Sequence, residues 1–422
     1  MKKKKSLDFS IETFDEKINT FYYNFIHNKL PLIIRSKCSE IFYVSKIIFI
    51  SRLKHLQLST YYIQGRDKIN GLELNVVIFG DKLTLKYICK LLSLDDYKIE
   101  EHGKTFIWSI DKKLNKLNRS VDAVFVRTDR FFSRRLQNKK FMILPEWVGM
   151  KLDISGSLEN IYKKFKKSAK DDVRIVKKRG YSYEISADLE KFVFFYHNIC
   201  LPYTFKRHGE LAQYASTHRP EINEIKSMFE KGRLLLVKER DKIVSGVIMT
   251  IIHSSKTAYL MYSGVDIKDN YLSKAAGAAS YYFVIKWAKE QGFRFLNFGG
   301  ARPFFNDGLF KYKTKWGMTL DISKRSFGIF GFKICNYKNK AVIDFLEQNP
   351  FIYLKEDKLK GMILVKEELD KNGVQEIWKK YNTCGLSGLT IISSHKIDEN
   401  IKSHVASNYE NKIILKENLR LF

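Results

Sequence analysis

Late in the chain, Asp307 lies in a glycine-containing loop four residues ahead of Lys311, and Tyr262 closes a β-rich stretch that comes before both. A loop carboxylate can take a proton from an incoming nucleophile, and a phenol can return one to a leaving group. A fixed ammonium stabilises developing negative charge without moving a proton. Each has a plainer alternative: Lys311 pairing with Asp307, and Tyr262 as a core or rim aromatic. A second constellation is Lys274-Ala275-Ala276-Gly277-Ala278-Ala279, at the expected start of a long helix. Free N–H groups and the positive dipole end make such a start a place to hold an anion. Gly277 lets the backbone approach closely, and Ala279 avoids crowding it. An alanine-rich helix packed on a sheet has the same composition. A third group is Pro202 to His208, where Arg207 can fork onto a phosphate or carboxylate beside Tyr203, Phe205, Lys206 and His208. A surface turn with its aromatics tucked under reads the same way.

Regular elements must position these groups. Thr257 to Gly264 is strand-like, and Ser273 to Gln291 places Ala276, Ala279, Phe283 and Trp287 on one helical face. Arg294 to Phe298 is a short apolar strand running into Gly299-Gly300 and an irregular loop. Upstream, Leu234 to Ser263 reads as three strands joined by tight turns, an antiparallel meander. In Leu158 to Gly180 one face carries Leu158, Ile161, Phe165 and Ala169, and the other carries Lys163, Lys164, Lys167, Lys170 and Arg174. Phe192 to Cys200 is a further apolar helix.

Taken in order, these pieces resemble the GNAT acyltransferase superfamily. Its pyrophosphate arm reads Gln/Arg-x-x-Gly-x-Gly/Ala; Gly277 and Ala279 match, and Lys274 replaces the usual Gln or Arg. The short strand ending in Gly-Gly, the loop, Leu309-Phe310-Lys311 and then Lys315-Trp316-Gly317 look like the Fem-type branch, covering about residues 141 to 325. The resemblance implies a central GNAT-like mixed sheet with flanking helices, in an α/β (α+β) chain. It implies a pantetheine arm beside Tyr262 to Asp266, including Val265, and a diphosphate on Lys274, Ala275, Ala276, Gly277 and Ala279. It places Lys311 near the reacting carbonyl, and Arg174, Arg207, His208 and Phe310 against substrate. The implied co-substrate is acetyl-CoA or another acyl-CoA, with no metal. The acceptor would be an amine or hydroxyl on an anionic nucleotide-sugar or lipid-linked glycan. An aminoacyl-tRNA donor is the alternative, and a non-catalytic binder of anionic membrane or nucleic acid on the same scaffold is a second one.

Composition sets the outer bounds. A length of 422 residues suggests two or three domains, and 45% hydrophobic with 14% aromatic residues excludes a disordered chain. A formal charge of +29 points to an anionic partner, although the lysines are spread over the whole sequence, as biased codon usage would also leave them. The five cysteines contain no Cys-x-x-Cys, and the nine histidines form no paired metal motif. Met1 to Lys5 is basic with no apolar run after it, and the apolar run at Ile47 to Ile50 is too short to span a bilayer. The expectation is a cytoplasmic protein, with a peripheral position at the inner membrane face as an option. Residues 1–145 read as an α/β accessory domain, with Leu74 to Phe79, then a helix from Leu83 to Leu92, a hairpin around His102-Gly103 and a strand at Val121 to Val126. Residues 146–330 hold the acyltransferase-like domain, closed by strands in Thr319 to Phe332, and residues 331–422 a βαβαβ segment.

Overall fold

The computed structural model describes residues 56–68, 70–209, 232–268, 271, 274–322, 328–410 and 412–417. Met1 to Lys5, the Ile47 to Ile50 run, Ser273 and the His208 side chain lie outside the described residues. In chain order the elements begin with β1 (Gln57–Asp67), β2 (Glu73–Gly80), α1 (Lys82–Leu91), β3 (Leu94–Phe106), α2 (Ile110–Leu117), β4 (Ala123–Asp129), α3 (Ser133–Asn138) and β5 (Met142–Pro145). Next come β6 (Val148–Asp153), α4 (Leu158–Lys163), α5 (Lys167–Lys178), β7 (Ser182–Ser186), α6 (Leu189–Phe195), α7 (Leu201–His208), β8 (Gly232–Glu239), β9 (Lys242–Ile252) and β10 (Thr257–Val265). They continue with α8 (Ala276–Glu290), β11 (Phe295–Ala301), α9 (Gly308–Thr314), β12 (Thr319–Asp321), β13 (Gly328–Ile334) and α10 (Lys340–Gln348). The last are β14 (Phe351–Lys355), β15 (Lys358–Val365), α11 (Lys371–Tyr381), β16 (Leu389–Ser393), α12 (Glu399–Asn408) and β17 (Ile413–Lys416). The chain divides into two compact units, Met1–Ile143 with Phe327–Val342, and Leu144–Ser326 with Ile343–Phe422.

In the first unit β1 pairs antiparallel with β2 on one side and β3 on the other, β4 runs parallel to β2, and β13 is antiparallel to β4. The continuous apolar run Val76-Val77-Ile78-Phe79 fits a strand buried on both faces, and all four residues are fully buried. Asp81 then caps α1, accepting from the Thr84 amide at 2.7 Å. The hairpin expected around His102-Gly103 does not form. β3 runs straight through, because β1 offers a continuous partner, and Gly103 at φ +70 absorbs the extra residue as a bulge where Ser59 faces Lys104 and Tyr61 faces Glu101. Gly328–Ile334, expected to close the central sheet, lies in this unit instead. It fits here because Gly331 leaves room for Leu136, whose Cδ1 lies 2.8 Å from where a Cβ would stand.

The second unit holds a seven-stranded sheet in the order β12-β6-β11-β10-β9-β8-β7. Every neighbouring pair is antiparallel except β10 and β11, which are parallel and joined through α8. An antiparallel meander, a crossover helix and a parallel strand form the GNAT-like mixed α/β order that the sequence suggests. The helix expected over Ser273 to Gln291 is observed as Ala276–Glu290. It is buried on more than one face, since α5 packs on it as well as β8, β9 and β10. Beyond the sheet, β15, β16 and β17 run parallel in that order, with β14 antiparallel at the β15 edge. Among the described residues, no helix is long and apolar enough to cross a membrane.

The basic segment Leu158 to Gly180 breaks into α4 and α5 at Lys166, whose backbone is extended and whose amide donates to Lys315 O at 2.8 Å. Ile161, Phe165 and Ala169 are buried, as their spacing requires. The break docks on the Trp316-Gly317 turn. Trp316 is fully buried edge-on to Phe165, and Gly317, at φ +73, sits where a Cβ would lie 2.8 Å from Lys164 Cβ and 3.0 Å from Lys164 O. Both the left-handed backbone and the contact exclude a side chain. Gly317→Ala should therefore destabilise the second unit by about 2–4 kcal/mol. A urea midpoint within error of the parent protein's would refute that account.

Candidate functional site

The site begins where β10 and β11 part. They pair only from Thr257–Phe295 to Tyr259–Asn297, after which parallel pairing stops. Irregularities on both strands enforce the separation. On β10 the register against β9 slips between Leu260 and Tyr262, leaving Met261 outside the ladder. On β11 it slips between Asn297 and Gly300 against β6, with Gly299 at φ +71 and Asn297 Oδ1 accepting from the Gly299 amide at 2.8 Å. A bulge re-aims backbone groups out of the ladder. Here the carbonyls of Phe298 and Gly300 both turn towards α9.

They meet Lys313. Its Nζ donates to Phe298 O at 2.5 Å and to Gly300 O at 2.8 Å, and lies 3.8 Å from where a Gly299 Cβ would stand, beside Leu260 O. The residue is only 4% exposed. Burial pushes the ammonium down to about 7, while the Asp307 carboxylate opposes the fall. A lysine has three donors in its charged form and two when neutral, so two carbonyls satisfy the neutral amine and leave its lone pair unengaged. Among the described residues no carboxylate is ion-paired with it, unlike most buried ammoniums.

The second element is the start of α8. Ala275 takes a left-handed backbone (φ 61) and supplies no side-chain cap. The Ala276 amide is turned back onto Tyr271 O, and the first helical bond runs from Ala279 N to Ala275 O. The Gly277 and Ala278 amides therefore fall in the first turn, whose N–H groups have no partner within the helix. Ser245 on β9 donates to Ala276 O at 2.8 Å and accepts from Ser280 Oγ at 2.9 Å, fixing the helix start to the sheet. Cations gather nearby. Lys274 and Lys242 each lie about 5 Å from the Tyr271 ring centre, and Arg179 donates to Tyr181 Oη, which donates to Lys274 O.

The third element is a helix with a π-type turn. Between α6 and α7, Tyr196–Cys200 is π-helical. The wide turn presses on β10 at Gly264, where a Cβ would lie 2.7 Å from Cys200 Cα. It aims α7, with Tyr203 and Arg207 bonded to each other, at the aromatic side of α8. There Tyr281 and Tyr312 meet edge-to-face at 5.2 Å. Burial raises both phenols, with Arg207 pulling the other way. The Tyr312 Oη lies 3.8 Å from where a Gly277 Cβ would be, and Val265 Cγ2 is at 3.4 Å.

The structure thus brings together Val265, Lys274, Ala275, Ala276, Gly277 and Ala279, with Arg207 near them. Other candidates are placed differently. Arg174 is 79% exposed and bonded to Asp171, an ion pair that contributes little. Phe310 is buried edge-on to Phe305 and belongs to the core. Tyr262 packs, partly buried, on the cluster of Phe192, Phe195, Leu234 and Ile248. Asp307 caps α9, accepting from Phe310 N at 2.8 Å. Lys311 is exposed. Two residues along a helix is roughly 200° of rotation, so Lys311 and Lys313 occupy opposite faces of α9. Lys313 is absent from the sequence reading, which places a loop at Asp307-Gly308 and then singles out Leu309-Phe310-Lys311 and Lys315-Trp316-Gly317. Buried Phe310 and the (i, i+3) position of Lys313 were the signal.

No family model matches the chain, and no curated protein matches it. Among solved structures it is similar to a FemX crystal structure at 15% identity, covering 68% of this chain and 86% of that one with a TM-score of 0.32. L-PGS from Bacillus licheniformis is similar at 12% identity, 67% and 87% coverage and a TM-score of 0.31. A GCN5-related N-acetyltransferase from Kribbella flavida is similar at 11% identity, 61% and 80% coverage and a TM-score of 0.23.

Proposed function

We propose that the second unit is a GNAT-like acyltransferase, moving an acyl group from acyl-CoA to an amine or hydroxyl on an anionic acceptor such as a nucleotide-sugar or lipid-linked glycan. The observation that carries this reading is Lys313, buried on two carbonyls where β10 and β11 part. The donor diphosphate would rest on the Gly277 and Ala278 amides, with Lys274 beside it. The acyl carbonyl would enter the gap, its oxygen towards the backbone at the Met261 bulge.

The acceptor nitrogen attacks the carbonyl carbon; a C–N bond forms and the oxygen becomes an oxyanion. The proton released by the attacking nitrogen passes to the neutral Lys313 amine. The C–S bond then breaks, and the same proton returns to the leaving thiolate. A group whose pKa lies near the working pH serves both directions. Asp307, held in its cap, tunes Lys313 and is not itself the base. The protein acts in the cytoplasm, where acyl-CoA is made.

A second reading has its own support. Lys313 already occupies the β11 carbonyls lining the gap, and the net charge is +29. Both suit an aminoacyl ester on tRNA, whose phosphates would be held by surface cations. Thermal melting separates the two. Acetyl-CoA or a longer acyl-CoA at a hundred times its Kd should add about 2.7 kcal/mol of stability, several degrees in Tm. No shift with any acyl-CoA, together with salt-sensitive tRNA binding, would select the second reading.

A further inference from the structure

Just past the β11 bulge lies a buried charged pair that the reaction above does not use. Arg302 is 9% exposed and Glu146 5%. The Arg302 Nη1 lies 3.7 Å from Glu146 Oε1 and donates to Glu146 O at 3.4 Å, while the guanidinium sits 4.0 Å over the Trp147 ring. Trp147 in turn presses on Gly300, where a Cβ would lie 3.0 Å from Trp147 Cβ and 3.4 Å from its ring. Gly300 carries one of the two carbonyls that hold Lys313. It also restores the register of β11, facing Gly149, with Ala301 facing Val148.

Burying an ion pair is rarely the cheapest way to stabilise a core, since apolar residues of similar volume commonly do as well or better. What this pair adds is geometry. A guanidinium plane fixed over an indole sets where the indole lies. The indole sets how near the strand can come, and a methyl group at position 300 would press on it. We propose that Arg302, acting with Glu146 through Trp147, is a positioning residue that holds the Gly300 carbonyl on the Lys313 amine. The proposal rests on the role given to Lys313 above.

The test is trace labelling of amino groups on the full-length protein with acetic anhydride across pH 5 to 11, reading Lys313 by peptide mass spectrometry. In the parent protein Lys313 should label slowly, with a midpoint near 7, against about 10.4 for surface lysines. Arg302→Met combined with Glu146→Leu removes both charges and leaves neither unpaired. With the cradle loosened and water admitted, its Lys313 midpoint should rise by about a unit and its labelling rate severalfold. Gly300→Ala should do the same from the other side of the indole. Arg302→Lys keeps the charge and loses the plane, so it should move the midpoint upwards by a smaller amount. An unchanged Lys313 midpoint in the folded variants overturns the positioning role; if the double variant does not fold, Arg302→Lys decides alone. A parent Lys313 that titrates with the surface lysines would instead overturn the role of Lys313 itself.

Discussion

Lys313→Met should abolish transfer, by at least a thousandfold in kcat/KM, and yet make the protein more stable at pH 6. The sign follows from linkage. The folded-state pKa, about 7, lies below the ordinary value of 10.5, so between the two the unfolded chain binds more protons and stability rises with pH. The contribution is fully present above 10.5 and is lost as pH falls through 7. Below that, the folded protein must bury a charged amine at a cost on the order of 4 kcal/mol. Methionine removes this cost but strands the carbonyls of Phe298 and Gly300, about 1–3 kcal/mol. The net gain at pH 6 is therefore about 1–3 kcal/mol, and at about pH 11, where only the lost hydrogen bonds count, the sign reverses. Urea melts at the two pH values check it; a variant less stable at both would remove the case for a desolvated ammonium. Lys313→Arg separates charge from proton transfer. It stays charged throughout, so it should be as inactive as Lys313→Met, and kcat/KM of the parent enzyme should climb with pH through about 7. Full activity in the arginine variant would make the lysine a fixed charge.

Gly277→Glu should eliminate the melting shift produced by acyl-CoA while changing the unliganded Tm by a degree or two. A glutamate here would bring its carboxylate to the amides of the first turn, against Val265 Cγ2 at 3.4 Å and near the Tyr312 hydroxyl. There it satisfies the helix start and repels a diphosphate together, so donor affinity should drop by a hundredfold or more, about 3 kcal/mol. Gly277→Ala meets only ordinary contacts, so it should retain most of the shift. A glutamate variant that still melts higher with acyl-CoA would move the donor away from α8.

Much of the scaffold around these residues is legible in the amino acids. The meander from Leu234, the small-residue helix start and the strand after it give the order β8-β9-β10-α8-β11, and the βαβαβ pattern near the end is found as expected. The π-type turn and the two bulges are not legible. Each is a one-residue departure from a regular period, decided by tertiary contacts such as Gly264 against Cys200. The same holds for Lys313. A lysine between Tyr312 and Thr314 reads as solvent-facing, because burying it needs two carbonyls that only a bulged β11 supplies. The family resemblance points to Lys311, two residues earlier, which is exposed on the opposite face of a short helix.

The path of the chain through β13 limits how the protein can be cut. After β12 the polypeptide leaves the second unit, lays Gly328–Ile334 alongside β4, and goes back at Ile343. Neither unit is one uninterrupted stretch of gene. A fragment stopping at residue 326 would strip β4 of its antiparallel neighbour and uncover a row of unpaired amides and carbonyls beside Val124, Phe125 and Val126, a template for self-association. Joining residues 327–342 directly behind residues 1–143 through a short glycine-rich tether should give a first unit that stays dispersed.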